Sequence, residues 1–324
     1  MGFIQTYKQS LIAFAFILFL LIPVHMVIER PMLLMERFLP GWGWIEILLL
    51  GFYGAFVTHK MIHAHNTAKW RLRIWTLFSF VFFGQLLLGL FGMEQFLMTG
   101  QLHFPIPAMI VAGPIYRFQI GFMPILFLST IVLSGPAWCS QLCYFGAIDG
   151  LLASNGRPSI IKNKHFIRLS IFFAVLLGAL FFRLFQLNES WVIWIIAGFG
   201  IIGLSVILFM SRRKGAMVHC TSYCPVGVAV SYLKFVNPFR LEIGNECTFC
   251  QKCVRDCRYD ALSMEDLKSG KPGISCTYCG DCISACSSSQ IRYKLFRFKP
   301  QTARMIWIVM TVVLHTVFLG LARI

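Results

Sequence analysis

The sequence predicts an all-α polytopic membrane bundle of about seven transmembrane helices, with one small soluble α+β module near its C-terminal end. Three observations predict it. Hydrophobic residues make up 57% of the 324 and charged residues 13%, about half the charged share of a soluble domain. The apolar residues are gathered into runs long enough, or nearly so, to cross a bilayer. One stretch, residues 241–293, has soluble composition, and it holds eight of the twelve cysteines.

The runs are Leu11–Ile28, Ile45–Ile62, Ile74–Met93, Phe118–Leu133, Leu169–Leu187, Trp191–Met210 and Met305–Leu321. A spanning helix needs about 20 apolar residues. The fourth run is short, and a start near Ile115 brings it closer. The first has no small-residue cleavage site, and Pro23 and His25 follow its apolar core, so it reads as a helix and not as a signal peptide.

The net charge of +16 would suit a nucleic-acid binder, but its distribution argues against that class. Residues 241–293 hold six Lys/Arg against seven Asp/Glu, and the rest of the chain holds 23 basic residues against six acidic. The basic residues gather at the ends of runs. Lys60, Lys69, Arg71 and Arg73 follow the second; Arg157, Lys162, Lys164 and Arg168 follow the fourth; Arg212, Arg213 and Lys214 follow the sixth; Lys294, Arg297, Lys299 and Arg304 precede the seventh. This is the positive-inside pattern. It predicts a multi-pass protein of the cytoplasmic (inner) membrane, with the N-terminus and the soluble module inside and the C-terminus outside. The outer loops around Glu94–Tyr116 and Asn188–Ser190 are poor in Lys and Arg; in the first outer loop Arg30 and Arg37 offset Glu29 and Glu36.

Four parts follow. Residues 1–117 hold three helices and a long outer loop. Residues 118–240 hold three more helices and two cysteine pairs. Residues 241–293 form the soluble module, and residues 294–324 the last helix.

All twelve cysteines fall in pairs or quartets on the predicted cytoplasmic side. A reducing compartment argues against disulfides and for metal ligation. The quartets are Cys247-x2-Cys250-x2-Cys253-x3-Cys257 and Cys276-x2-Cys279-x2-Cys282-x3-Cys286. This is the spacing of two-cluster bacterial ferredoxins. Three cysteines two residues apart let one tight loop wrap three corners of a cubane. The fourth, one turn on, points to the cluster of the other quartet. Cys247, Cys250, Cys253 and Cys286 are therefore expected to hold one [4Fe-4S] cluster, and Cys276, Cys279, Cys282 and Cys257 a second. Zinc also takes four cysteines, though rarely in two such tandem quartets. Ferredoxins usually place proline after each fourth cysteine; here Arg258 and Ser287 stand there.

A weak repeat adds a third candidate. Cys139-Ser-Gln-Leu-Cys143-Tyr-Phe-Gly146 lines up with Cys220-Thr-Ser-Tyr-Cys224-Pro-Val-Gly227, 81 residues later, each at the cytoplasmic end of a membrane run. On a helix, positions i and i+4 share a face, so each pair can present two sulfurs together. Pro225 suits the first turn of a helix starting after Cys224. Two pairs brought together supply four thiolates, enough for a third iron–sulfur centre at Cys139, Cys143, Cys220 and Cys224. Reduced structural thiols are the alternative reading.

With these motifs the chain resembles the NapH/NosR-type membrane polyferredoxins over about residues 118–293. The resemblance rests on the two Cys-x3-Cys motifs after membrane helices, the second followed by Pro225, and on the tandem quartets. It implies a membrane component of a quinol dehydrogenase or of an electron supply to extracytoplasmic reductases and their maturation, working with other redox subunits. Tyr144 departs from the family, which usually has proline there.

His25, His59, His63 and His315 lie in or beside membrane runs, where ionisable residues raise a functional question. A haem needs two ligands at one depth, and the predicted depths of these four differ, so haem is not expected. His59, His63 and His65 read as interfacial. In the long outer loop, His103, Pro105, Pro107 and the apolar Met109–Ala112 could fold back onto the bundle, with Glu94 or His103 available to a quinol head group. No P-loop, dinucleotide fingerprint or nucleophile triad occurs. Few buried charges argue against a transporter. The expected function is membrane-bound iron–sulfur electron transfer between quinol or a cytoplasmic donor and a partner redox protein. The alternative is a redox-sensing or metal-centre-maturation protein without turnover of its own.

Overall fold

The computed structural model describes residues 2–29, 31–63, 67–97, 106–161, 163–186 and 188–321. Of the residues singled out above, Arg30, His65, His103, Pro105, Lys162 and Leu187 lie outside these segments. In chain order the helices are α1 (Gly2–Val27), α2 (Leu34–Phe38), α3 (Gly43–His63), α4 (Thr67–Leu90), α5 (Met109–Arg117), α6 (Phe122–Ser134), α7 (Tyr144–Ala153), α8 (Lys164–Leu184), α9 (Glu189–Ser205), α10 (Arg212–Lys214), α11 (Pro225–Leu233), α12 (Lys252–Asp256), α13 (Met264–Ser269), α14 (Asp281–Ala285) and α15 (Pro300–Gly320). The strands are β1 (Phe239–Ile243) and β2 (Ile291–Leu295).

Seven helical stretches among the described residues are long and apolar enough to cross a membrane: Tyr7–Val27, Gly43–His63, Thr67–Leu90, Met123–Leu142, Lys164–Leu184, Trp191–Lys214 and Pro300–Gly320. Phe19, Phe52, Phe80, Leu177 and Trp194 on these stretches are exposed. A water-facing surface seldom carries so much contiguous apolar area; a lipid-facing one does.

The fourth span starts and ends later than its apolar run. The chain first makes the separate short helix α5, which Phe118 ends with a left-handed φ of 53°. Pro124, in the first turn of α6, has no N–H to bond to an earlier turn, so the helix begins anew there. The span gains its length instead from Ser134–Leu142, which is buried by protein.

The chain divides into two compact units, residues 1–103 with 299–324, and residues 104–298. In the first, α1, α3, α4 and α15 pack together, with Val57, Met61, Ile74, Ile308 and Val312 forming part of the core. Glu46, in the first turn of α3, accepts the N–H groups of Leu34 (3.2 Å) and Met35 (2.6 Å) at the start of α2. Arg37, also buried, donates to Gln85 Oε1 (3.2 Å) and to the Met32 carbonyl (2.9 Å). His315 is fully buried, with the Tyr53 hydroxyl 3.4 Å from its Nε2. His25 meets Trp44 edge-on, and His59 stacks on Tyr7 with its ring 4.7 Å from that of His63. Glu94 is exposed in a short 3-10 turn.

In the second unit, β1 and β2 pair antiparallel, with Phe239 opposite Leu295, Leu241 opposite Tyr293 and Ile243 opposite Ile291. Strand alternation buries all six on one face. This two-stranded sheet closes the ends of a segment whose middle holds α12, α13 and α14, with α12 and α14 packed together.

Arg258 ties that segment to the end of α7 and to the turn after α10. Its Nη1 donates to the carbonyls of Ala153, Gly156 (3.3 Å) and Gly215 (3.1 Å), its Nη2 to that of Ser154 (3.2 Å), and its own carbonyl accepts the Met217 N–H (2.8 Å). The arginine that replaces the ferredoxin proline is thus a clamp on the end of α7 and the turn after α10. Hydrogen bonds from a charged donor are worth about 1.5–3 kcal/mol each, and they do not add. We expect Arg258→Ala to cost about 2–4 kcal/mol, read as earlier thermal loss of the visible iron–sulfur absorbance. An unchanged melting profile would show the clamp to be idle.

Candidate iron–sulfur sites

The two quartets are built alike at a 29-residue offset. In each, the first two cysteines lie on a loop and the third on a short helix, Cys253 on α12 and Cys282 on α14. The fourth ends that helix in extended conformation, Cys257 at φ −81°, ψ 94° and Cys286 at φ −81°, ψ 102°. Left-handed residues recur at the same offset: Phe249 and Tyr278, Gln251 and Gly280, Asp260 and Ser289. Backbone of alternating hand turns successive N–H groups into one concavity, which suits a negatively charged group. Gly280 has a second reason to be glycine. A Cβ there would lie 2.6 Å from the Tyr293 hydroxyl, which donates to the Tyr278 carbonyl at 2.7 Å.

The structure brings Cys257, Cys276, Cys279 and Cys282 to the wall of one cavity. In the other half, Cys253 lies within electrostatic reach of Cys286 and Cys247. Cys250 is exposed, and the Lys252 N–H, with help from the Thr248 and Ser287 side chains, holds its thiol below the usual range. The fourth cysteine of each quartet therefore stands with members of the other quartet. Cys276 and Cys282 are buried in the first group and Cys253 in the second, and Cys250 is the one exposed member, so solvent reaches the second group there. Among the described residues no three His, Cys, Asp or Glu side chains converge tightly enough for a single metal ion.

The two Cys-x3-Cys motifs share one backbone, and it is not the regular α-helical turn that an i, i+4 pairing assumes. Trp138–Leu142 and His219–Tyr223 are π-helical turns, closed by Cys143 N–H to the Trp138 carbonyl (2.9 Å) and Cys224 N–H to the His219 carbonyl (2.8 Å). The second cysteine of each then turns extended (Cys143 φ −86°, ψ 119°; Cys224 φ −74°, ψ 121°) and caps the next helix, α7 or α11. Pro225 enforces this in the second copy, because the residue before proline avoids the helical region. Tyr144 takes the same first helical position in the first copy without proline. Such π-turns often mark functional sites. Gly227 is needed because a Cβ there would run into the Cys220 carbonyl.

The four sulfurs of these motifs act on one another: the charges of Cys143, Cys139 and Cys224 all bear on Cys220, after that of Asp149. Burial pushes the Cys143 thiol up to about 12 and the Cys224 thiol up to about 11. Thiolates this costly are stable only beside positive charge, which a metal centre supplies. Asp149, fully buried, accepts the Cys220 N–H at 3.0 Å, and burial raises its carboxyl to about 6.

The 239–295 segment rests on these motifs. The Tyr259 hydroxyl donates to the Cys139 carbonyl (3.0 Å), and Ser140 Oγ to the Thr277 carbonyl (3.4 Å). Lys234, buried, donates to the carbonyls of Ile274 (2.7 Å) and Cys276 (3.2 Å). A second cavity is lined by Cys139, Cys220 and Cys276 together with Arg168 and Tyr259. Sequence reading missed Asp149, Lys234 and Tyr259. A lone polar residue in an apolar helix end was the only signal for the first, and none marked the other two.

Comparison with known families finds a model described as a 4Fe-4S binding domain that matches residues 118–163 and 196–236. No curated protein and no solved structure matches the chain significantly. The matched segments contain Cys139 and Cys143, and Cys220 and Cys224, and the match supports an iron–sulfur protein.

Proposed function

We propose that the chain is a multi-pass electron carrier of the cytoplasmic membrane, working between quinol or a cytoplasmic donor and a partner redox protein. Cys247, Cys250, Cys253 and Cys286 would hold one [4Fe-4S] cluster, and Cys276, Cys279, Cys282 and Cys257 another, in a ferredoxin-like module on the cytoplasmic side. Cys139, Cys143, Cys220 and Cys224 would hold a third. When bound, such clusters each take up and release one electron at a potential set by their surroundings. The chain's own residues fix spacing and shield the sulfurs. Tyr259, Ser140 and Lys234 pin the segment around Cys276 against the Cys-x3-Cys motifs, and Arg258 locks it to α7. The observation that carries the reading is the shared cavity wall of Cys139, Cys220 and Cys276.

The test uses sealed anaerobic vesicles of both orientations and dithionite, which does not cross membranes. Iron–sulfur absorbance should bleach at once in inverted vesicles and stay in right-side-out ones, then return in the inverted ones when a quinone or redox partner is supplied. Bleaching confined to right-side-out vesicles would reverse the orientation. Bleaching with no reoxidation by any acceptor would favour the sensing or maturation role.

A further inference from the structure

Arg168 lies near the start of α8 and belongs, by sequence, to a basic cluster that sets membrane orientation. Its surroundings are not those of such a residue. It is 4% exposed. Its Nη2 donates to Ser231 Oγ (2.7 Å) and to the Gly227 carbonyl (3.1 Å), and Ser231 Oγ itself donates to that carbonyl (2.8 Å). The guanidinium is therefore held against α11, the helix that Cys224 caps. Its Nη1 is buried and has no hydrogen-bond partner. The side chain lines the cavity shared by Cys139, Cys220 and Cys276. No carboxylate pairs with it among the described residues: Asp260 is engaged by Lys164 at 2.7 Å, and Asp149 accepts the Cys220 N–H.

A buried guanidinium without a counter-ion is strongly unfavourable. The fold nevertheless builds one, fixes its Nη2 with two hydrogen bonds, and leaves Nη1 unpartnered on a side chain that shares a cavity wall with Cys139 and Cys220. An iron–sulfur site with four thiolates is net negative and becomes more so on reduction. A fixed cation beside it stabilises the reduced form more than the oxidised form, and hydrogen bonds to sulfur act in the same direction. We infer that Arg168 is the built-in counter-charge of the centre at Cys139, Cys143, Cys220 and Cys224, donating to its sulfurs and raising its reduction potential so that it is the electron sink of the set. The inference rests on the third centre proposed above.

The experiment is potentiometric titration of the anaerobically purified protein, followed by electron paramagnetic resonance, with iron and labile sulfide counted in parallel. Arg168→Gln should keep the full iron count and make the third centre about tenfold harder to reduce, a fall of about 59 mV for a one-electron couple. Arg168→Lys, which keeps the charge, should shift it less than Arg168→Gln does. A second measurement uses the wild-type protein labelled with 15N at arginine alone: the reduced third centre should show a nitrogen coupling that Arg168→Lys removes. If Arg168→Gln does not accumulate, that coupling decides the matter. Unchanged potentials at full iron, or no arginine coupling in the wild type, overturn the inference while leaving the third centre standing. A wild-type protein with only two clusters removes the third centre and the inference with it.

Discussion

Replacing Cys143 and Cys224 together by serine should lower bound iron from about twelve to about eight atoms per chain. Both residues cap helices immediately after a π-turn, so the backbone presents each sulfur at a fixed point, and all four sulfurs of the two motifs lie within electrostatic reach of one another. Serine keeps the size and the backbone geometry but not the soft thiolate that iron–sulfur clusters select. The ferredoxin-type quartets lie on separate loops and should stay loaded, so the loss is a discrete four irons and not a general decline. Iron, labile sulfide and the reduced-state resonance spectrum would be measured on the same preparation. A double variant with its full iron complement and unaltered spectrum would leave these thiols a structural role only.

Cys257→Ala and Cys286→Ala should each remove about four iron atoms, but from opposite halves of the 239–295 segment. Cys257 stands with Cys276, Cys279 and Cys282 on one cavity wall, whereas Cys286 acts on Cys253 across the segment. Cys257→Ala should therefore spare the cluster beside exposed Cys250, and Cys286→Ala the one beside buried Cys276 and Cys282. A water-soluble chelator or oxidant tells them apart: the cluster left in Cys257→Ala should bleach quickly, and that left in Cys286→Ala slowly. The opposite order would mean that each quartet serves its own cluster, against the crossed ligation.

The number of membrane-length helices was legible because a bilayer demands uninterrupted apolar runs, and composition carries that directly. The twelve cysteines were legible as groups because each spacing is a local matter of a few residues. What escaped depends on packing. The start of the fourth span is set by Phe118 in the left-handed region and by Pro124, not by hydropathy. The π-turns add one backbone residue to a turn without any mark in the side chains. Arg258 read as a lost proline and is instead a clamp on four carbonyls. Arg168 read as one more topogenic charge, because nothing in a basic cluster tells which member is buried. Of the two acids or imidazoles considered for a quinol head group, Glu94 is exposed and His103 lies outside the described residues.

The uneven access of the two quartets has a consequence for survival in air. Cys250 is exposed, and the hydrogen bonds around it favour the thiolate, the form that oxidants attack first. Cys276 and Cys282 are buried within the segment that Tyr259 and Lys234 hold down. With the ligand sets proposed above, the cluster at Cys250 should be lost to oxygen before the one at Cys276 and Cys282, because solvent reaches its ligand first.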